Sequence, residues 1–299
     1  MQTLFTNIKE LLQIREASVA FVAGADMNIL PAIKNAFLLV EEGRIAAFGP
    51  MESCPTLEGK EVVDATGKML LPSWCDSHTH LVYAGNREEE FKDRINGLSY
   101  EEIANKGGGI LNSAKTLQAT SAESLYQQSK VRLEEVMRLG TGALEIKSGY
   151  GLTPEAELKM LRVIKRLQEE TSIPIKATFL AAHALPEAFK SNKAEFLRKM
   201  LGKVLPVLKA EDLASAIDVF CETGYFSPED TAEVLQAAQA YGLVPKIHVN
   251  QFNAIGGVAV GVQYNARSVD HLEILTDADV AVLQGSKTMP VALPGCSFF

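Results

Sequence analysis

No uncharged stretch of the 299-residue chain approaches the roughly 18 residues needed to cross a bilayer, so no membrane partner is expected. The opening MQTLFTNIKELLQIRE carries Lys9 and Glu10 where a secretory leader needs unbroken apolar sequence, and no leader is read there. Cysteine is scarce. Cys54, Cys75, Cys221 and Cys296 lie far apart with no CxxC pair, which argues against a disulfide framework and for free thiols in a reducing cytoplasm. Positive charge is in deficit, 29 Lys and Arg against 37 Asp and Glu for a net −8, so no nucleic-acid surface is expected. Internal repeats and low-complexity segments are also lacking. The 47% hydrophobic content suits a soluble chain with a sizeable core, in one large domain or two modest ones.

Residues 17–66 read as short β-type runs broken by turn residues: ASVAFVAG, AFLLVEEGRIAAFGP and KEVVDATGKMLL. In the second, Gly43 marks a hairpin turn between apolar arms. A small β domain over 1–66 is therefore expected. Beyond it the rhythm changes to strand, helix, strand. The strand candidates are 69–80, 141–149, 174–184, 216–224, 244–250, 267–273 and 289–295, with amphipathic helical stretches between several of them. Gly140 stops one such helix, Pro154 starts another, and Ser227 with Pro228 starts a third. Alternation of this kind implies right-handed βα crossovers and a parallel sheet over 67–299. Seven units point to a TIM-type (β/α)8 barrel with its eighth unit missing; a doubly wound open sheet has the same rhythm and remains open.

The five histidines, His78, His80, His183, His248 and His271, all fall at or near the C-terminal end of a strand candidate. In a parallel barrel that end is the face that carries active sites. His78 and His80 form an H-x-H pair, which on one strand sends both imidazoles to the same side. His248 is the natural third ligand, and three imidazoles with an open position describe a catalytic metal site. His271 could ligate the metal or carry a proton, and His183 could donate to a substrate carbonyl. Asp76 could orient a ligand or cap a turn. Gly107, Gly108 and Gly109 lack the following GK[ST] of a phosphate loop and read better as a tight loop. Taken alone, Arg87 reads as a solvated helix-surface charge, and Tyr100 and Tyr150 as half-buried packing residues.

The segments DSHTHLVYAGNREEEF, GGGILNSAK, EIKSGYGL, TFLAAHALP, DVFCETGYF, IHVNQF and SVDHLE, in that order and spacing, resemble the imidazolonepropionase family of amidohydrolases. LLVEEGRIAAFG and DATGKMLLP resemble the small β-sandwich domain that accompanies amidohydrolase barrels. The resemblance implies metal-dependent hydrolysis of the ring amide of 4-imidazolone-5-propanoate to N-formimidoyl-L-glutamate, the third step of histidine degradation. It implies one zinc or iron ion on His78, His80 and His248. Arg87 would take the propionate carboxylate, Tyr100, Tyr150, His183 and Gln251 would line the substrate site, and His271 would assist proton transfer. A second copy of the chain is a candidate partner.

Two departures from the family stand out. Gln251 occupies a position where some members are acidic, and the chain stops at Phe299 before the family's last barrel strand, its aspartate and the return to the small domain. A chain of this extent is expected to be a weak enzyme. The rivals are another amidohydrolase, such as a nucleobase or aminohydrolase deaminase, and an inactive metal-binding fragment.

Overall fold

The computed structural model describes residues 2–298 except Ala17, Leu57, Lys60, 99–101 and 103–108; of Glu89 it describes only the backbone. Tyr100, Gly107 and Gly108 lie outside the described residues. The chain divides into two compact units, Met1–Trp74 and Cys75–Phe299.

The first unit is a sheet built on β1 (Gln2–Leu12), the chain's opening residues. β2 (Ala32–Glu41) pairs with it antiparallel and with β3 (Arg44–Pro50) across the Gly43 turn. β4 (Glu61–Asp64) and β5 (Met69–Leu70) run parallel to β1. The expected strand at ASVAFVAG is absent among the described residues. A short 3₁₀ turn, Gly24–Asn28, follows it, and Val19 and Phe21 are exposed. Apolar composition alone does not make a strand without a neighbouring edge to pair with.

The second sheet contains β6 (Trp74–Asp76), β7 (Thr141–Lys147), β8 (Ile175–Ala182), β9 (Ala216–Cys221), β10 (Val244–Val249), β11 (Ser268–His271) and β12 (Met289–Ala292), hydrogen-bonded in that order. The ladders from β7 to β12 that join these strands are parallel. Helices separate them, among them α1 (Glu88–Ile95), α2 (Ile110–Ala119), α3 (Ala122–Arg138), α4 (Pro154–Glu170), α5 (Lys193–Glu211), α6 (Pro228–Gln239), α7 (Gly257–Gln263) and α8 (Asp277–Leu283). The helix starts follow local chemistry. Thr153 Oγ1 accepts from Ala156 N ahead of Pro154, and Ser227 forms a capping box with Asp230 ahead of Pro228.

The sheet curls. His78, just past β6, meets Asp270 of β11 at 2.7 Å, although four strands stand between them in the sheet. At about 4.8 Å per strand a flat sheet would hold them about 24 Å apart. The curled parallel sheet is TIM-like and excludes the open doubly wound alternative. Its interior and helical layer bury Ile146, Phe179, Ile217 and Ile247 against Leu161, Leu205 and Val234. Each such side chain contributes about 1.5–3 kcal/mol on burial.

One strand boundary departs from expectation. The sequence predicts a single strand over 69–80, but Met69–Leu70 pairs with β1 and Trp74–Asp76 joins the second sheet. Pro72, which has no N–H to give a ladder, separates the two.

Candidate metal and active site

All five imidazoles meet at the C-terminal ends of the second sheet's strands. His248 is the penultimate residue of β10, His271 ends β11, His183 follows β8, and His78 and His80 follow β6. Neighbouring ring centroids are close: His78–His248 4.5 Å, His248–His271 5.2 Å, His80–His248 5.4 Å and His80–His183 5.4 Å. Tyr150 sits 5.3 Å from both His80 and His183. The H-x-H segment is fixed by the residue between its histidines. Thr79 Oγ1 donates to Glu145 O at 2.6 Å, and Thr79 O accepts from Lys147 N at 3.0 Å. Asp76 takes the turn role, accepting from His78 N at 3.2 Å.

The ring nitrogens are oriented by carboxylates. His78 Nδ1 bonds Asp270 Oδ2 at 2.7 Å, and His248 Nδ1 bonds Asp218 Oδ1 at 3.0 Å. Each carboxylate accepts the Nδ1 proton and leaves Nε2 unprotonated, the form that ligates metal. His80 Nε2 faces His248 Nε2 at 3.3 Å, and His80 Nδ1 is buried with no hydrogen-bond partner among the described residues. Two imidazole nitrogens on one tetrahedral ion at about 2.0–2.1 Å each would stand about 3.3–3.4 Å apart, so the pair is spaced for a shared cation. His78, His248 and His271 also bring one ring nitrogen each within 4.8 Å of one another. The residues present therefore fit a divalent metal ion, with His80 and His271 both within reach of it.

Burial and the neighbouring His183, His248 and His78 hold the His80 imidazole well below its usual protonation range. Burial does the same for His248, against the opposing pull of Asp218. His183 is pushed down to about 4, by burial first, against the raising effect of its bond to Gly149 O at 3.0 Å. Neutral imidazoles are the ligand and base forms. His271 is lowered too, mainly by burial; its Nδ1 lies 3.4 Å from Glu273 Oε1, and its backbone sits at φ +94°. A non-glycine residue there costs about 1–3 kcal/mol, a strain that accumulates at functional sites.

The remaining expected site residues are placed less centrally. Arg87 is the N-cap of α1 with its side chain 45% exposed, and its Nε donates to Glu90 Oε2 at 2.7 Å. Glu90 Oε1 in turn accepts from Gly109 N at 2.9 Å, tying Arg87 to the N-cap of α2. Gln251 donates to Cys296 Sγ at 3.8 Å. Tyr150 belongs to a loop in which Gly149 and Gly151 both have a reason to be glycine. Added Cβ atoms would come within 2.6 Å of Leu180 Cδ2 and of Glu157 N respectively.

Sequence reading missed a buried charge network beneath the rings. Lys147 Nζ lies 2.7 Å from Asp218, 2.9 Å from Glu145 and 3.6 Å from Asp270, and Lys246 Nζ lies 3.4 Å from Asp270. Burial opposes charge on Lys147, but Asp218, Glu145 and Asp270 outweigh it and hold the ammonium above the ordinary lysine range. Burial likewise opposes charge on Asp218, and His248 and Lys147 hold it well below the usual carboxylate range. Also missed was Glu157, which accepts from Gly149 N, Gly151 N and Leu152 N at 2.7–2.9 Å and so shapes the Tyr150 loop. The available signal was a charged residue set inside an apolar strand run, as in ALEIK, AIDVF and PKIHV.

Over its full 299 residues the chain is 61% identical to proteins named imidazolonepropionase from Christiangramia forsetii and Flavobacterium johnsoniae, covering 73% of each. It is 39% identical over 299 residues to another of that name from Bacillus mycoides, covering 70%. The chain belongs to the imidazolonepropionase family. No family model matches it. Among solved structures, the imidazolonepropionase-family fold seen here resembles a 5-methylcytosine deaminase from Klebsiella pneumoniae (TM-score 0.68, 14% identity, 99% of this chain and 66% of that one). It also resembles a guanine deaminase from C. acetobutylicum (TM-score 0.65, 13% identity, 100% and 69%). At that identity the likeness speaks for the amidohydrolase fold and not for the substrate. Among the described residues no helix is long and apolar enough to cross a membrane.

Proposed function

We propose that the chain opens the ring amide of 4-imidazolone-5-propanoate by hydrolysis, giving N-formimidoyl-L-glutamate in histidine degradation. The observation that carries this is the convergence of all five imidazoles on one strand-end site in a chain 61% identical to imidazolonepropionases. His78, His80 and His248 hold one zinc or iron ion. When bound, that ion supplies Lewis-acid polarisation of a carbonyl oxygen and a lowered pKa for water.

The chain's own residues do the rest. Neutral His271 takes the proton of the attacking water at Nε2 as oxygen adds to the ring carbonyl. As the C–N bond breaks, it returns that proton to the departing nitrogen. His183 works differently from the carbonyl donor expected of it. Its Nδ1 hydrogen is committed to Gly149 O and the ring is neutral, so Nε2 is an acceptor and takes a substrate N–H. Tyr150, and Tyr100 from outside the described residues, flank the substrate with Gln251. Arg87 exchanges Glu90 for the propionate carboxylate, which a guanidinium fork suits.

The finer architecture belongs to the same reading: a (β/α)8 barrel with an eighth unit beyond the seven strands seen, and a small β-sandwich domain over 1–66 that further chain completes. So does a cytoplasmic site of action, which the four free thiols suit. Assaying 4-imidazolone-5-propanoate beside cytosine and guanine tests the function. Only the first carries a flexible carboxylate, and comparable kcat/KM on a nucleobase would transfer the reading to a deaminase.

A further inference from the structure

The metal reading leaves unexplained a lysine with no exposed side-chain surface directly beneath the histidines. Lys147 ends β7, the strand that Thr79 fastens to the H-x-H segment. Its ammonium has three hydrogens and three carboxylates around it, at 2.7, 2.9 and 3.6 Å. Two of those carboxylates are the ones that grip imidazoles. Asp218 uses Oδ2 for Lys147 and Oδ1 for His248, whose backbone N–H it also receives at 3.1 Å. Asp270 uses Oδ2 for His78 and stands 3.6 Å from Lys147 through the same atom. Among the described residues Lys147 is the only lysine or arginine within 4.0 Å of Asp218, whereas Asp270 also has Lys246.

We infer that Lys147 is a positioning residue for the metal site: its ammonium holds Asp218 and Asp270 in place as acceptors of the Nδ1–H groups of His248 and His78, so that both rings present a bare Nε2. The inference rests on the reading of those histidines as ligands. The physical argument is one of geometry and charge in a dry site. With the ammonium gone, three carboxylates would be left buried together with Lys246 alone to balance them, and breaking a buried pair from one side typically forces the survivor to seek other partners. Each ring would then lose the fixed acceptor that selects its tautomer. Outer partners of this kind are worth about 10–100-fold in metal affinity. His183 supplies an internal reference, because its Nδ1 bonds a backbone carbonyl and no member of the lysine network.

The test is Lys147→Met, read in two ways: the affinity for Zn²⁺ by chelator competition, and the tautomer of each histidine by long-range ¹⁵N–¹H NMR of the metal-free protein. The expected result is at least a tenfold loss of zinc affinity, with His78 and His248 passing from the single Nδ1–H tautomer to a mixture while His183 keeps its own. Unchanged tautomers at His78 and His248, with zinc affinity within twofold, would overturn the inference. Should the methionine variant fail to fold, Lys147→Gln, one chain atom shorter, keeps hydrogen bonding without charge and carries the same two expectations. If the parent chain binds no divalent metal, the ligand reading fails by itself, and the tautomers still decide what Lys147 does.

Discussion

His80 and His248, 168 residues apart in the chain, bring their Nε2 atoms to 3.3 Å of each other. Two lone pairs at that distance repel unless a proton or a cation lies between them. Asp218 keeps the proton of His248 on the far side of its ring, so the space between the two Nε2 atoms takes either the His80 proton or a cation. A cation held by both rings, as proposed above, would satisfy both lone pairs.

That relationship sets the first expectation. Protein purified without chelator should carry one divalent ion per chain by elemental analysis, and His78→Ala with His80→Ala should lose it. Added metal at about 100 times its Kd should stabilise the parent against unfolding by about 2.7 kcal/mol and leave the double variant unmoved. Equal metal content in the two proteins would remove the site assignment.

His271 is expected to separate from the ligands. His271→Ala should retain the ion and lose about 10²–10⁴ in kcat, the range for a positioned acid–base group. His271→Gly should lose as much activity yet be the more stable of the two, since glycine alone relaxes the backbone at φ +94°. Loss of the ion in both variants would make His271 a ligand, and the 4.8 Å grouping of His78, His248 and His271 would then be the metal set.

Arg87 is half-exposed and paired with Glu90, so the proposed exchange onto a substrate carboxylate would be an affinity effect. Arg87→Met should raise KM about tenfold or more with kcat and metal content near those of the parent. An unaltered KM would return Arg87 to an ordinary N-terminal helix charge.

Acid should destabilise the fold through His183. Its folded value of about 4 lies below the ordinary 6.5, so between those two pH values the unfolded chain binds a proton that the folded one does not. Stability from this group is complete above about 6.5 and falls progressively toward about 4, by at most about 3 kcal/mol. Urea unfolding at pH 7 and 4.5 should show a smaller drop for His183→Asn than for the parent. An equal drop would mean that His183 titrates as if exposed.

What could be read in the sequence divides along the range of the forces involved. The starts at Thr153-Pro154 and Ser227-Pro228 were legible because a cap is made by residues three apart. The parallel sheet was legible because its central strands, β8 and β9 above all, are buried almost throughout and read as apolar runs. β1 was not. A bulge between Phe5 and Ile8, with Asn7 at φ +54°, breaks the alternation that marks a strand. The histidines announced the site by falling at strand ends, but the acids that orient them did not. Lys147 and Asp218 are 71 residues apart and each looks like a stray charge in an apolar strand until the sheet curls and brings them to 2.7 Å.

The central claim, a metal-dependent ring-opening hydrolase built on these histidines, is tested most directly by following 4-imidazolone-5-propanoate to product in the parent and in His248→Ala, each with and without added zinc. The account expects the parent to form N-formimidoyl-L-glutamate, to lose that activity on chelation and to regain it with zinc, while His248→Ala stays inactive in every condition. Product formed at the parent's rate by His248→Ala, or by the chelated parent, would contradict it.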